Sequence, residues 1–203
     1  MSMFAELDYL TWVYRMTPII RIFTVTLFTL SFLVSGKSSA ALVPEESDAF
    51  NGKIAPAFSF RAINGDQFSS QNFAEHPVVL NFFASWCPPC REEIGDLLKI
   101  YSKYRDRGLV IVGAATDAKL IADTSAEQEK NDVATLVKRL SIPYPVGIAS
   151  DQMARDYSFK GIPTTIFIGA DGKIAHTLYG YHSSQKLEEW VQRLMAMAKS
   201  GSS

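Results

Sequence analysis

The chain has 203 residues, 47% hydrophobic, 12% aromatic and 20% charged, a globular composition that excludes intrinsic disorder, collagen-like repeats and a disulfide-dense mini-scaffold. Its 20 Lys and Arg against 21 Asp and Glu leave a formal net charge of -1, so no basic field exists to hold a nucleic-acid backbone. Both of its 2 cysteines, Cys87 and Cys90, fall three positions apart.

From Thr17 to Ser35 the chain reads TPIIRIFTVTLFTLSFLVS, uncharged from Ile22 to Val34. Arg15 and Arg21 lie on its amino-terminal side, and SGKSSAA and then the acidic Glu45–Asp48 follow. A basic flank, an apolar stretch and small exit residues form the pattern of a secretory signal, with Ala40 or Ala41 as the last residue before the cut. A retained anchor reads as well. The run from Ile22 is short for the about 20 residues of a spanning helix, but Thr17–Arg21 brings it into range with Arg21 snorkelling to the headgroups. Residues 1–41 are therefore expected to be a signal peptide or membrane anchor, with the basic flank inside and the remainder exported. The acidic, aromatic Met1–Tyr14 is unusual ahead of such a segment, and Met16 is the more conventional start.

Residues 42–51 read as a linker, 52–199 as one domain and 200–203 as a frayed end. Phe58–Ile63 and Gln67–Phe68 flank Asn64-Gly65, a hairpin signal. Val78–Ala84 (VVLNFFA) is too short for a helix and rich in strand formers, so it reads as a buried strand. Pro88–Tyr104 reads as a helix with Ile94, Leu97, Leu98 and Tyr101 on one face. Leu109–Thr116 is a second buried strand. A polar stretch, Asp117–Asp132, leads to a helix near Val133–Leu140. Tyr144–Ile148 is a short strand, Asp151–Tyr157 a helical turn, Thr164–Gly169 a strand and Lys173–Tyr179 another. Leu187–Lys199 closes the chain as a helix with Leu187, Trp190, Val191, Leu194 and Met195 inward. The order predicts an α/β fold, a mixed sheet covered by helices.

Trp86-Cys87-Pro88-Pro89-Cys90 sits where a buried strand ends and a helix begins. The offset of three at a helix start lets the two sulfurs reach disulfide distance. Cys87 lies where unpaired N–H groups and the helix dipole stabilise a thiolate. Pro88 and Pro89 remove donors that a helix start leaves unbonded anyway. Cys87 is expected to be the exposed attacking thiolate and Cys90, one turn in, the buried resolving thiol, in thiol–disulfide exchange through a mixed disulfide. A purely structural bridge or half of a zinc site are the competing readings. The former would close an unusually short loop; the latter lacks a second CxxC, and His76, His176 and His182 lack paired spacing. These histidines read as surface or loop residues, so no metal is expected. A peroxidase would want a threonine where Ala84 stands.

At these residues the chain resembles the thioredoxin superfamily, in its exported TlpA/ResA-like branch. VVLNFFASWCPPCREE matches that branch's active-site block, and Gly161–Ile174 (GIPTTIFIGADGKI) resembles its second hallmark, over about 145 residues from Ala55 onward. The resemblance implies a thioredoxin-like fold with an N-terminal hairpin extension and a central insertion at Asp117–Asp132. It implies that Pro163 is a cis proline facing the dithiol, that the Ile162 backbone pairs with an extended substrate, and that Trp86 offers a docking face. An ordinary trans proline and a structural tryptophan are the plainer readings. Asn81 stands where cytoplasmic thioredoxins hold a buried aspartate. Glu93 matches a glutamate of the branch and is placed to take the Cys90 proton; the alternative is a solvated helix acid. Where the branch often has a helix-kinking proline, this chain has Ile94-Gly95.

The uncharged Pro88-Pro89 favours a reductant over a strong oxidant. The resemblance implies exported, disulfide-bearing partners such as apocytochrome c or metal-centre assembly proteins, a membrane thiol-electron donor and no cofactor. The alternatives are a disulfide oxidase or isomerase using the same dithiol, or a module that binds cysteine-containing segments, whose binding would survive Cys87→Ser.

Overall fold

Val78–Phe83 forms β3, buried along its whole length, because a short run of β-branched and aromatic residues is satisfied only where both sheet faces are covered. In this computed structural model, residues 51–117, 125–158 and 160–200 are described. They belong to one compact unit, Ser47–Ser203. The predicted signal or anchor (1–41), the alternative start at Met16 and nearly all of the predicted linker lie outside the described residues. Among the described residues, no helix is long and apolar enough to cross a membrane.

β4 (Val110–Ala115) lies parallel to β3, and β5 (Val146–Ile148) parallel to β4. On the other side β6 (Thr164–Ile168) and β7 (Ile174–Tyr179) run antiparallel, giving the mixed order β5-β4-β3-β6-β7. A separate antiparallel hairpin, β1 (Ser59–Arg61) with β2 (Gln67–Ser69), turns at Asn64-Gly65, where Gly65 takes φ 98°. The helices are α1 (Pro88–Tyr104), α2 (Ala126–Leu140), α3 (Asp151–Asp156) and α4 (Ser184–Ser200).

Alternation along β3 divides the core in two. Val79 and Phe83 pack with Ile94, Leu97, Ile100 and Tyr104 of α1 and with Leu187, Val191 and Leu194 of α4. Val78, Leu80 and Phe82 pack on the opposite face with Phe58, Phe60, Met153 and Tyr157. Leu98 and Tyr101, expected inward on α1, are only partly buried against this core.

Three expectations change. α2 begins at Ala126, a full seven residues before the predicted Val133. Its first two turns carry no apolar stripe, but Ser125 Oγ accepts the Gln128 N–H at 3.1 Å and Glu127 and Glu129 complement the dipole. α4 begins at Ser184, three residues before the predicted Leu187, and spans Ser184–Ser200; the rest of the predicted frayed end, 201–203, lies outside the described residues. His176 is not a surface or loop residue: it lies buried in β7, its ring stacked on Trp190 at a centroid distance of 3.7 Å.

Candidate redox site

The chain leaves β3 at Phe83 and closes a turn in which the Cys87 N–H donates to Ala84 O at 3.2 Å. Cys87 is then the N-cap of α1, with extended φ and ψ of -79° and 114°, and prolines occupy the first two helical positions. Cys87 and Cys90 are joined in a disulfide with Cα atoms 5.3 Å apart. The Cys90 N–H donates to Cys87 Sγ at 3.3 Å, so the sulfur occupies the acceptor place of a capping side chain. In this oxidised form Cys87 is not exposed as expected: it is 3% exposed against 0% for Cys90. Cys87 lies in the core cluster that also holds Phe83, Ala84 and Ile94. The neighbouring Trp86 stands 45% exposed.

The Ile162–Pro163 bond is cis. Antiparallel pairing sets Thr164 opposite Phe82, so Pro163 lies level with Phe83, at the end of the sheet where the redox turn begins. The Gly180 N–H donates to Pro163 O at 2.8 Å, and Thr164 Oγ1 donates to Gly161 O at 2.7 Å. Ile162, between these fixed points, packs partly buried against the core cluster that holds both cysteines.

Behind the dithiol, Glu93 is wholly buried, which removes the solvated-helix reading. The same register pairs Asn81 with Thr165. Alternation turns both toward α1, where Asn81 Nδ2 donates to Glu93 Oε1 at 2.9 Å and Thr165 Oγ1 donates to it at 2.6 Å. Asn81 Nδ2 also donates to Thr165 Oγ1 at 2.9 Å. The His182 backbone N–H donates to Oε2 at 3.4 Å. Burial pushes the Glu93 carboxyl above its ordinary value and the charge of Asp96 adds to this, against the hydrogen bonds from Thr165, His182 and Asn81. A carboxyl so held binds and releases a proton closer to neutral pH.

Two contributors escaped the sequence reading. His182, taken for an ordinary loop residue, supplies that backbone donor while its Nε2 contacts Tyr179 O at 3.1 Å. Asp117, taken as the start of a polar insertion, is 1% exposed and holds Ser85, two residues before Cys87. His76 does stand exposed. Among the described residues, no three His, Cys, Asp or Glu side chains gather as a metal site.

Comparison with known proteins converges on this geometry. The AhpC/TSA family matches residues 51–177. The chain is 28% identical over 144 residues to the thiol-disulfide oxidoreductase ResA of Bacillus thuringiensis subsp. konkukian, covering 70% of this chain and 78% of that one. It is 24% identical to the sporulation thiol-disulfide oxidoreductase A of Bacillus subtilis over 173 residues, covering 85% and 97%. A crystal structure of a thiol:disulfide interchange protein of the thioredoxin family from Chlorobium tepidum matches with TM-score 0.61 and 30% identity, covering 70% of this chain and 95% of that one. This chain thus belongs to the AhpC/TSA family, as a thioredoxin-like thiol-disulfide oxidoreductase.

Proposed function

We propose that the protein is an exported reductase of disulfides in partner proteins. The observation that carries this reading is the Cys87–Cys90 pair at the start of α1 with the buried Glu93 carboxyl one turn behind it. The reduced Cys87 thiolate attacks a substrate disulfide, forming a Cys87–substrate bond and releasing one substrate thiolate, which takes a proton. Glu93 takes the proton of Cys90, whose sulfur then attacks Cys87 Sγ, forms the intramolecular disulfide and expels the second substrate thiolate. Two electrons pass to the substrate. A dithiol donor restores the pair.

Asn81 and Thr165 hold the Glu93 carboxyl; the Asn81 amide cannot itself carry the proton. Trp86 offers an exposed ring to the substrate, and the Ile162 backbone beside Pro163 offers its edge to an extended segment. The absence of charge at Pro88 and Pro89 supports a reductant, since nothing there stabilises the reduced form as a cation would. The sequence pattern of residues 17–35 supports export with a membrane anchor or a cleaved signal, and hence a membrane-embedded donor. Residues 42–51 act as the tether of a domain spanning 52–199. Apocytochrome c and metal-centre assembly proteins are the partner class that the resemblance favours.

Equilibration of the full chain with a glutathione redox buffer tests the direction of flow. A potential near or below about -270 mV supports the reductase, whereas one toward about -120 mV makes the protein a disulfide donor. Cys90→Ser is expected to accumulate mixed disulfides with exported proteins on Cys87. An empty trap in an oxidising compartment would count against the exchange mechanism.

A further inference from the structure

β4 ends beside the redox turn. Phe83 pairs with Ala115, and the Thr116 N–H extends the ladder to Phe83 O at 2.8 Å. The next residue on β4's side, Asp117, is therefore level with Ser85. Its Oδ1 and Oδ2 accept the Ser85 N–H at 3.0 and 2.9 Å, and the Ser85 hydroxyl donates to Oδ1. On the carbonyl side of the same residue, in the next peptide unit, Arg91 Nη1 of α1 donates to Ser85 O at 3.1 Å. Ser85 is thus held through both its N–H and its carbonyl, inside the turn from Ala84 to Cys87.

Burying a carboxyl is costly. Among the described residues no cation is paired with Asp117, and burial pushes its carboxyl above the ordinary value, with the charge of Asp132 adding to it. An aliphatic side chain would fill this place at less cost but could hold neither donor of Ser85. We propose that Asp117 is a positioning residue of the redox turn, which clamps Ser85 and so fixes where Cys87 Sγ stands relative to the start of α1. Thiolate stabilisation by helix N–H groups and in-line attack both depend on that placement. The inference rests on Cys87 being the attacking thiol.

Asp117→Asn and Asp117→Ala both remove the charge, but only the amide keeps an acceptor for the Ser85 N–H and a partner for its hydroxyl. Their difference therefore isolates the clamp from the charge. In the full chain, with insulin as disulfide substrate and dithiothreitol as donor, kcat/KM of the Ala variant is expected to fall at least about tenfold below that of the Asn variant. The thiolate absorbance of Cys87 is expected to titrate at higher pH in Ala than in Asn. Identical rates and titrations in the two variants overturn the inference, even if the Ala variant melts earlier. Should Asp117→Ala fail to fold, Ser85→Ala, which removes the hydroxyl bond alone, is expected to lower kcat/KM by about threefold, and parity with the unaltered protein overturns the inference. Cys87→Ser is measured alongside: residual turnover there overturns the reading of Cys87 itself, whereas a dead Cys87→Ser with equal Asp117 variants overturns the clamp alone.

Discussion

Glu93 has a buried place in the core, and the proposed mechanism asks it to accept a proton there. Its carboxyl is held by Asn81, Thr165 and the His182 N–H, yet burial keeps its proton affinity above that of an exposed glutamate. Glu93→Gln keeps most of the packing and removes the base, so resolution of the mixed disulfide is expected to slow by about 100-fold, read by stopped-flow mixing of the reduced protein with a disulfide peptide. An unchanged resolution rate would exclude Glu93 as the acceptor. The same substitution has a thermodynamic signature of definite sign. The folded state holds this proton more tightly than the unfolded state does. Its contribution to stability is therefore fully present below the ordinary value of 4.5 and declines as pH rises through the raised folded value. Glu93→Gln lacks that decline, so its denaturation midpoint should fall less than that of the unaltered protein between acid and neutral pH. Asp117, also raised by burial, leaves a residual slope of the same sign. Parallel pH profiles for the two proteins would mean that Glu93 titrates as if exposed.

At the scale of elements, the site is a product of register. Pairing Asn81 with Thr165 and Phe82 with Thr164 brings the cis proline, the carboxyl and the dithiol to one end of β3. The amino-terminal hairpin covers the other flank of the sheet, where Ala62 bridges to Gly147. There a Cβ on Gly147 would lie 2.0 Å from Phe60 Cδ2. Gly147→Ala must push the Phe60 ring off β5, and is expected to cost about 1–3 kcal/mol by overpacking, measured by chemical denaturation. The Cys87–Cys90 potential should not move, because the change lies away from the redox turn; a shifted potential would mean that the hairpin is coupled to it. At the start of α2, Ser125→Ala removes the acceptor of the Gln128 N–H and is expected to cost about 1 kcal/mol. A loss near zero would mean that this end of α2 adds nothing to cooperative unfolding.

For the molecule as a whole, the sequence was most legible where one physical requirement dominates. VVLNFF demands burial on both faces, Cys-Pro-Pro-Cys at a strand–helix junction demands a dithiol, and the Gly-Ile-Pro-Thr block carries its family resemblance. It was least legible where a residue's role depends on a partner distant in sequence. Asp117 is one acid in a polar stretch until β4 sets it beside Ser85, and His182 acts through a backbone N–H that its side chain does not advertise. Asn81 and Glu93 were each noticed, but twelve positions separate them and only the packing of α1 on β3 joins them. The burial of Cys87 comes from its packing with Phe83, Ala84 and Ile94, which residue order alone does not display. The charge balance, by contrast, is a property of the whole chain and bears on how substrates arrive. With 20 basic and 21 acidic residues the molecule has little net charge to steer a partner. Next to the cysteines in the chain stand the uncharged Trp86, Pro88 and Pro89, while Arg91 Nη1 donates to Ser85 O. Apolar and main-chain contacts are scarcely screened by salt, whereas steered association falls steeply with ionic strength. Reduction of a protein disulfide should therefore change in kcat/KM by less than about threefold between about 50 and 500 mM potassium chloride. A fall of tenfold or more over that range would require a charged docking surface outside the apolar rim of the dithiol.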